Sequence, residues 1–180
     1  MVYFIKHPPT GGPSLSVIAT ISVGVVTEKK TTECFRDESR YAYRDPCLDF
    51  GLPHVQPKRP ACAVTVLALK GKATAAELAV TVLGIAPGLS LEEVGKLIAG
   101  RHLTATLTQV EAIAKKAAVL NANTLFFFVE GRNGIGVVFV SRERDDAKER
   151  LSVCFDRALD RPRFSPDDRL FICNGHSGRF

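Results

Sequence analysis

After Ala73 the hydrophobic period of this chain changes from helical to strand-like, and that change limits the fold more than any other feature of the sequence. After Ala73, three hydroxyl residues are each followed by a glutamate three positions later, the capping-box pattern that begins a helix. Each box precedes apolar residues at helical spacing, and Gly84 and Gly100 stand where helix C-caps are expected. The sequence therefore predicts three consecutive helices, which begin at the boxes Thr74–Glu77, Ser90–Glu93 and Thr108–Glu111.

From Thr124 onward the apolar runs become aromatic and β-branched, which is typical of strands. Four such runs follow one another: TLFFFVE, GVVFVS, RLSVCFD and RLFIC. The linker GRNGIG joins the first two, and its glycines supply the positive φ that a hairpin turn requires. Helices grouped first and strands grouped afterwards predict an α+β fold, with a helical layer packed on a small antiparallel sheet. The charged stretch SRERDDAKER between two of the runs is predicted to be a solvated loop or a short helix.

Composition narrows the class of protein. At 180 residues, with 46% hydrophobic and 24% charged residues, the chain has enough apolar material for a globular domain. Its net charge of +5 is spread over lysines and arginines in runs no longer than two, whereas nucleic-acid-binding surfaces cluster such residues. The apolar run from Val17 to Val26 is too short for a membrane span. We therefore expect a protein that binds neither nucleic acid nor membrane, and the sequence leaves its oligomeric state open.

Five cysteines, at positions 34, 47, 62, 154 and 173, show no CxxC pair and no zinc-type spacing. An odd number of cysteines argues against a disulfide framework and predicts a reducing, cytoplasmic location. The sequence offers no recognisable motif for a bound cofactor or a structural metal.

Residues 1–50 differ in texture from the rest of the chain. The strand-like run SLSVIATISVGVVT precedes a charged, turn-rich segment in this part. We therefore predict an N-terminal extension of strand and loop over residues 1–50, followed by the main domain over residues 51–180.

The stretch QPKRPACAVTVLALKG, from Gln56 to Gly71, permits two interpretations of Cys62. The apolar run after the cysteine favours a buried strand, because valine and threonine are poor helix formers. A nucleophilic cysteine would instead lie at a helix N-terminus, where backbone amides and the helix dipole favour the thiolate. It would also need a histidine as base and a donor for the oxyanion, and Gln56 is placed for the second role. The residues alone leave both interpretations open.

The order of a glutamine, five further residues and a cysteine at the head of an apolar run resembles papain-like cysteine enzymes. Within that group the chain resembles phytochelatin synthase most, and the bacteriocin-processing (C39-type) peptidase domain next. The segment QPKRPAC, the helix start GLSLE and the sequence from NGIG to DRLF carry the resemblance. It implies a papain-like fold in which Cys62, at a helix N-terminus, is the acyl-forming nucleophile. Gln56 would then be the oxyanion donor, and Asp156 would orient the base.

The resemblance also implies a reaction. It would be γ-glutamylcysteinyl transfer between glutathione molecules, or peptide hydrolysis, through an acyl-enzyme on Cys62. The substrate would be glutathione, its thiolate complex with a thiophilic metal ion, or a peptide.

The chain departs from this family at the catalytic base. Val137 follows the glycine turn NGIG, where the family has histidine. His176 and His54 are the candidate replacement bases, since each lies in a segment that could reach a cleft around Cys62. The alternative is a catalytically degenerate relative that binds a peptide or a protein partner without turnover. A third possibility, a globular domain outside the family, applies if residues 62–70 form a strand.

Overall fold

The computed structural model describes residues 15–27, 29–43, 62–69, 74–84, 88–117, 124–131, 134–145, 148–157 and 168–173. The strands are β1 (Leu15–Val23), β2 (Tyr41–Tyr43), β3 (Cys62–Leu69), β4 (Thr124–Gly131), β5 (Gly134–Asp145), β6 (Lys148–Arg157) and β7 (Asp168–Cys173). The helices are α1 (Ala75–Leu78), α2 (Leu91–Gly100) and α3 (Leu107–Ala117). α1 continues into a π-helical turn over Ala79–Leu83, and a short 3-10 turn covers Thr31–Glu33.

The strands form a mixed sheet in the order β1-β3-β7-β4-β5-β6-β2. The pairs β1–β3, β3–β7, β4–β5 and β5–β6 are antiparallel, whereas β4–β7 and β2–β6 are parallel. The protein is therefore mixed α/β with helices packed on a sheet, and the sheet is mixed rather than antiparallel throughout as expected. The antiparallel prediction holds for β4, β5 and β6, which follow one another in sequence. It fails where β7 inserts between β3 and β4, because no local pattern announces a pairing between distant segments.

The sheet is buried on both faces. Successive side chains of a strand point to opposite faces, so on β4 Leu125, Phe127 and Val129 enter one core while Phe126 and Phe128 enter the other. α3 and residues 34–41 cover the first face, here called the α3 face. α1 and α2 cover the second, here called the α2 face. Two aromatic rings, those of Phe127 and Phe171, stack at 4.6 Å inside the α3-face core.

Two of the three predicted capping boxes are confirmed. The Thr74 hydroxyl accepts a hydrogen bond from the Glu77 amide, and the Glu77 carboxylate accepts one from the Thr74 amide. Ser90 and Glu93 make the same reciprocal pair at the start of α2. These bonds satisfy amide groups that a helix N-terminus leaves unpaired, which fixes where both helices begin.

The third box is wrong. α3 begins at Leu107, and its reciprocal pair is Thr106 with Gln109 rather than Thr108 with Glu111. The Thr106 amide donates to the Gln109 side chain at 2.9 Å, and the Gln109 amide donates to the Thr106 hydroxyl at 3.2 Å. A threonine with glutamine three residues later satisfies the same rule, so the two overlapping patterns compete and local sequence does not rank them.

The helix C-caps divide in the same way. Gly84 takes the left-handed conformation, with φ of 66°, as predicted. Gly100 is still helical, and His102 is the left-handed residue instead, with φ of 56°. The Leu103 amide donates to the Ile98 carbonyl and the His102 amide to the Ala99 carbonyl, which together form a Schellman motif.

The segment between α2 and α3 crosses the end of the sheet. The Leu103 carbonyl accepts from the amide of Cys173, the last residue of β7, at 3.1 Å. Two residues later, the Ala105 amide donates to the Phe128 carbonyl of β4 at 2.8 Å. These bonds hold the segment in place where it passes from the α2 face to the α3 face. They also place the first turn of α3 at the sheet end where β7 finishes and the antiparallel β3 begins.

The N-terminal segment contributes both outermost strands of the sheet, β1 and β2. Phe35 and Tyr41 are buried in the α3-face core, with ring centroids 5.2 Å apart in an edge-to-face contact. The described part of residues 1–50 therefore shares its sheet and its core with the rest of the chain. Within the described residues, no helix has the length and apolar character that a bilayer crossing requires.

Candidate functional site

Cys62 is the first residue of β3, so the helix expected at this cysteine is wrong. β3 lies between β1 and β7 with both of its faces covered, and such a position favours apolar residues throughout the strand. Val64 and Val66 are fully buried toward one face and Leu67 toward the other. The side chain of Cys62 is partly buried and packs against the α3-face core.

Gln109 is the residue that the structure brings to Cys62. Its side chain is held in the first turn of α3 by its bond to the Thr106 amide, and the residue is 2% exposed. From there its Nε2 donates to the Sγ of Cys62 at 3.5 Å. A hydrogen-bond donor and the positive end of a helix both favour a thiolate over a thiol. The first turn of α3, which lies far from Cys62 in sequence, thus contacts the thiol through the side chain of Gln109.

Sequence reasoning missed Gln109. The pattern Thr106-Leu-Thr-Gln109 is itself a capping box and could have located the start of α3. The contact with Cys62 joins residues 47 positions apart, and no spacing rule predicts it. The expected oxyanion donor Gln56, and the candidate bases His54 and His176, lie outside the described residues.

Cys62 and Asp156 are not brought together. Asp156 lies on β6, and β6 is four strand positions from β3 in the sheet. At about 4.8 Å per step, that order separates the two strands by about 19 Å. Val137, which stands where the family has histidine, pairs in register with Asp156 on the neighbouring strand. Its side chain is 3% exposed and lies in the α2-face core, whereas Cys62 packs on the α3 face.

A buried carboxylate anchors the N-terminal segment to α3. Glu111, whose side chain is 8% exposed, accepts from the Nζ of Lys29 at 2.9 Å and pairs with Lys115 at 3.4 Å. The hydrogen bond that Lys29 donates to Glu111 raises the pKa of Lys29. Burial, together with the negative charge of Glu111, raises the pKa of Tyr41 to about 12. We interpret this cluster as structural, because Lys29 and Lys115 neutralise the carboxylate and the Lys29 pair links the N-terminal segment to α3.

The outer edge of β1 is the second feature with functional potential. β1 ends the sheet, and among the described residues no strand pairs with its outer edge. From Leu15 to Thr27 no residue is charged. Val17, Ile18 and Val25 are 47%, 45% and 64% exposed. Edge strands are usually short or carry charge or proline, yet β1 has nine residues and neither protection.

A β-bulge divides this edge. The register with β3 shifts between Val17 and Ala19, so Ile18 has no partner on β3 and the continuous stretch is Ala19–Val23. Ala19 and Ile21 are partly buried against the α3-face core. Lys116 reaches the edge from α3, where its Nζ donates to the carbonyl oxygen of Ser22 at 3.0 Å. A lysine in that place is a common way of making a sheet edge less accessible.

Within the described ranges, no three His, Cys, Asp or Glu side chains are grouped as a metal site would require. Cys34 and Cys173 are buried, and Cys62 is partly buried. No protein-family model, no curated protein and no solved structure matches this chain.

Proposed function

We propose that this protein is a binding module that accepts an extended, uncharged polypeptide segment as an additional strand along the outer edge of β1. The observation that carries the proposal is the outer edge of β1. The strand has nine residues and none of them is charged, Val17 and Ile18 are exposed beside its bulge, and Ala19–Val23 form the continuous stretch. In strand addition, main-chain hydrogen bonds supply affinity and alternating side chains supply specificity. The function belongs to the class of peptide or protein binding without turnover.

The edge defines what the bound segment looks like. Ala19, Ile21 and Val23 turn toward the α3-face core, so the ligand's side chains on that face are expected to be apolar. Thr20 and Ser22 are exposed on the other face and favour hydroxyl or other small polar partners. A segment that alternates β-branched apolar residues with threonine or serine meets both conditions.

The proposal is tested by fluorescence anisotropy with a labelled peptide of alternating valine and threonine. Ile18→Lys is the informative variant, because Ile18 is 45% exposed and has no register partner on β3. We expect this variant to weaken binding at least about tenfold, since the added ammonium must be desolvated at the new strand.

Thr32→Lys is the matched control, because it adds the same charge at an exposed position away from β1. A peptide of the same length made of proline alone has no backbone N–H to donate to the ladder and is expected not to bind. Equal binding by the proline peptide, or by Ile18→Lys, would exclude strand addition at this edge.

A second candidate function is cysteine chemistry at Cys62, and the observation that favours it is the hydrogen bond from Gln109. By the resemblance to phytochelatin synthase, the reaction would be acyl transfer from glutathione or hydrolysis of a peptide, on a papain-like fold. Cys62 would attack the amide carbonyl, with Gln56 or Gln109 as the amide donor and His54 or His176 as the base. Incubation with glutathione, with and without a thiophilic metal ion, followed by mass analysis, tests for product or for a Cys62 adduct, with Cys62→Ala as the control.

Alkylation at Cys62 tests the thiolate directly. If the Gln109 amide and the α3 N-terminus stabilise the thiolate, iodoacetamide will modify Cys62 well below pH 8.5, the ordinary thiol pKa. Gln109→Leu removes the donor at similar volume, so we expect its Cys62 to react several-fold more slowly near pH 7. Peptide mass spectrometry measures both proteins, with the buried Cys34 and Cys173 as internal references. The same rate in both proteins would remove the support that the Gln109 hydrogen bond lends to this second function.

A further inference from the structure

We infer that the strand added at the β1 edge is β1 of a second copy of this chain, paired antiparallel about a two-fold axis through Ile21. The inference rests on the proposed strand addition and names its partner. It follows from the sequence pattern of the edge, from the faces to which its side chains turn, and from the places where apolar side chains remain exposed.

In a two-fold interface, if one residue of the first copy contacts a second residue of the other copy, the reverse contact also forms. The sequence of the edge must therefore be complementary to the same sequence read backwards. The stretch Ala19–Val23 alternates apolar and hydroxyl residues and reads the same in both directions as a pattern of these two types. Pairing about Ile21 sets Thr20 opposite Ser22 of the second copy, and Ala19 opposite its Val23. Residues of one type therefore meet residues of the same type along the whole stretch.

The two faces of the combined sheet are also consistent with this register. A two-fold axis perpendicular to the sheet keeps the α3 faces of both copies on one side. Ala19 and Ile21 are partly buried there, and Val23 is buried in the core. The second copy would cover the remaining apolar surface of Ile21 with its own Ile21. On the opposite face the exposed Thr20 and Ser22 hydroxyls form cross-strand pairs, which sheets tolerate well.

The exposed apolar side chains lie at both ends of the same segment. Val17 and Val25 are equally far from Ile21 in sequence and are 47% and 64% exposed. Antiparallel pairing about Ile21 brings Val17 of each copy to the end of the interface where Val25 of the other copy lies. Val17 lies before the β-bulge and Val25 lies two residues after the end of β1, so both valines lie near the ends of this interface.

Charge favours a second copy over a charged peptide. The segment from Leu15 to Thr27 is uncharged although the chain carries a net charge of +5, so β1 itself has no charged side chain for selecting a charged ligand. Lys116 is the cation bound at this edge, on the Ser22 carbonyl. In the paired register that carbonyl lies opposite Thr20 of the second copy. We therefore expect Lys116 to oppose association.

Analytical ultracentrifugation of the full chain over a range of concentrations tests the inference. We expect a monomer–dimer equilibrium that Ile18→Lys shifts at least about tenfold toward monomer, and that Thr32→Lys leaves unchanged. Lys116→Met retains the side-chain stem without the ammonium, and we expect it to shift the equilibrium toward dimer.

Disulfide trapping tests the register. In Ile21→Cys, the two new thiols lie opposite each other at the axis, within the Cα separation of about 4.5–5.5 Å that antiparallel pairs show and disulfides accept. In Val25→Cys, the corresponding thiols lie eight residues out of register, more than about 20 Å apart. Mild oxidation should therefore give a dimer linked through position 21 and none linked through position 25, read by peptide mass spectrometry.

The outcomes separate the two proposals. A chain that stays monomeric at every concentration but binds the valine–threonine peptide overturns the second-copy inference and leaves the proposed function standing. A monomer that binds no peptide overturns both. A dimer that is insensitive to Ile18→Lys, or that is trapped at position 25 rather than 21, overturns the β1 interface.

Discussion

Tyr41 is both a packed aromatic residue of the α3-face core and an ionisable group whose pKa is shifted. It is 3% exposed, packs edge-to-face on Phe35 at 5.2 Å, and has its pKa raised to about 12 by burial and by the charge of Glu111. A buried phenol near a carboxylate resists ionisation, because the phenolate would lose its hydration and gain a like-charged neighbour. The folded state therefore keeps this proton at pH values where the unfolded chain releases it.

We predict that the free energy of unfolding falls as the pH rises from about 10 to about 12. Over that range an unfolded tyrosine is ionised while folded Tyr41 remains neutral, so the unfolded state binds fewer protons and alkali destabilises the fold. The raised pKa of Lys29 acts in the same direction, since its stabilising proton is also lost as the pH rises.

Tyr41→Phe keeps the ring and removes the ionisable hydroxyl, so it isolates the contribution of the phenol. Urea denaturation at about pH 9 and about pH 11 measures the effect, and we expect the variant to lose less stability than the native chain. Equal losses in the two proteins would contradict the assignment to Tyr41.

The contacts of individual side chains are the feature of this protein that its sequence predicts least well. The unbroken apolar run after Cys62 permits a strand or a helix by sequence, and it forms the strand β3. The partner of the thiol, Gln109, was not predicted, since its role depends on where α3 begins and on how the chain crosses the sheet end. A residue's chemistry is visible in sequence, but its neighbours are not.

Local elements were predicted better, and the errors lie at their ends. Helices α1 and α2 begin where their capping boxes indicated, because a cap depends on residues only three positions apart. The stretch SRERDDAKER is different. It was expected as a loop or short helix, yet it extends β5 and β6, with Asp145 paired to Lys148. Alternating charges suit exposed strand as well as loop, so composition did not separate them.

The two glycines of α2 give a prediction at this scale. A side chain at Gly95 would start 3.1 Å from the Cγ2 of Ile135 on β5, whereas Gly100 has open space around it. We expect Gly95→Leu to lower the free energy of unfolding by about 1–3 kcal/mol through overpacking. Gly100→Leu should raise it by up to about 1 kcal/mol through helix propensity.

Urea denaturation of both variants measures the difference, and Ile135→Ala in the Gly95→Leu background should recover part of the loss. If Gly95→Leu proved as stable as Gly100→Leu, the backbone of α2 at Gly95 would not lie in close contact with Ile135 of β5.

At the scale of the whole molecule, the order of the strands decides what the protein can do. β1 and β2, both from the described part of residues 1–50, are the two outermost strands of the sheet. That placement leaves β1 with one paired side and makes it the candidate binding edge. It also sets β3 and β6 four strands apart, which separates Cys62 from Asp156.

The sequence by itself determined the elements: three helices, the β4–β5 hairpin, the strand character of β6 and β7, and a strand-like uncharged run at β1. Each of these depends on periodicity, capping or turn residues within a few positions of one another. Only the tertiary structure decided that β7 lies between β3 and β4, that α3 presents Gln109 to Cys62, and that β1 lies at an edge. These contacts join segments that are distant in sequence, and they depend on the simultaneous burial of both faces of the sheet. No pattern within a few residues predicts which distant segments pair.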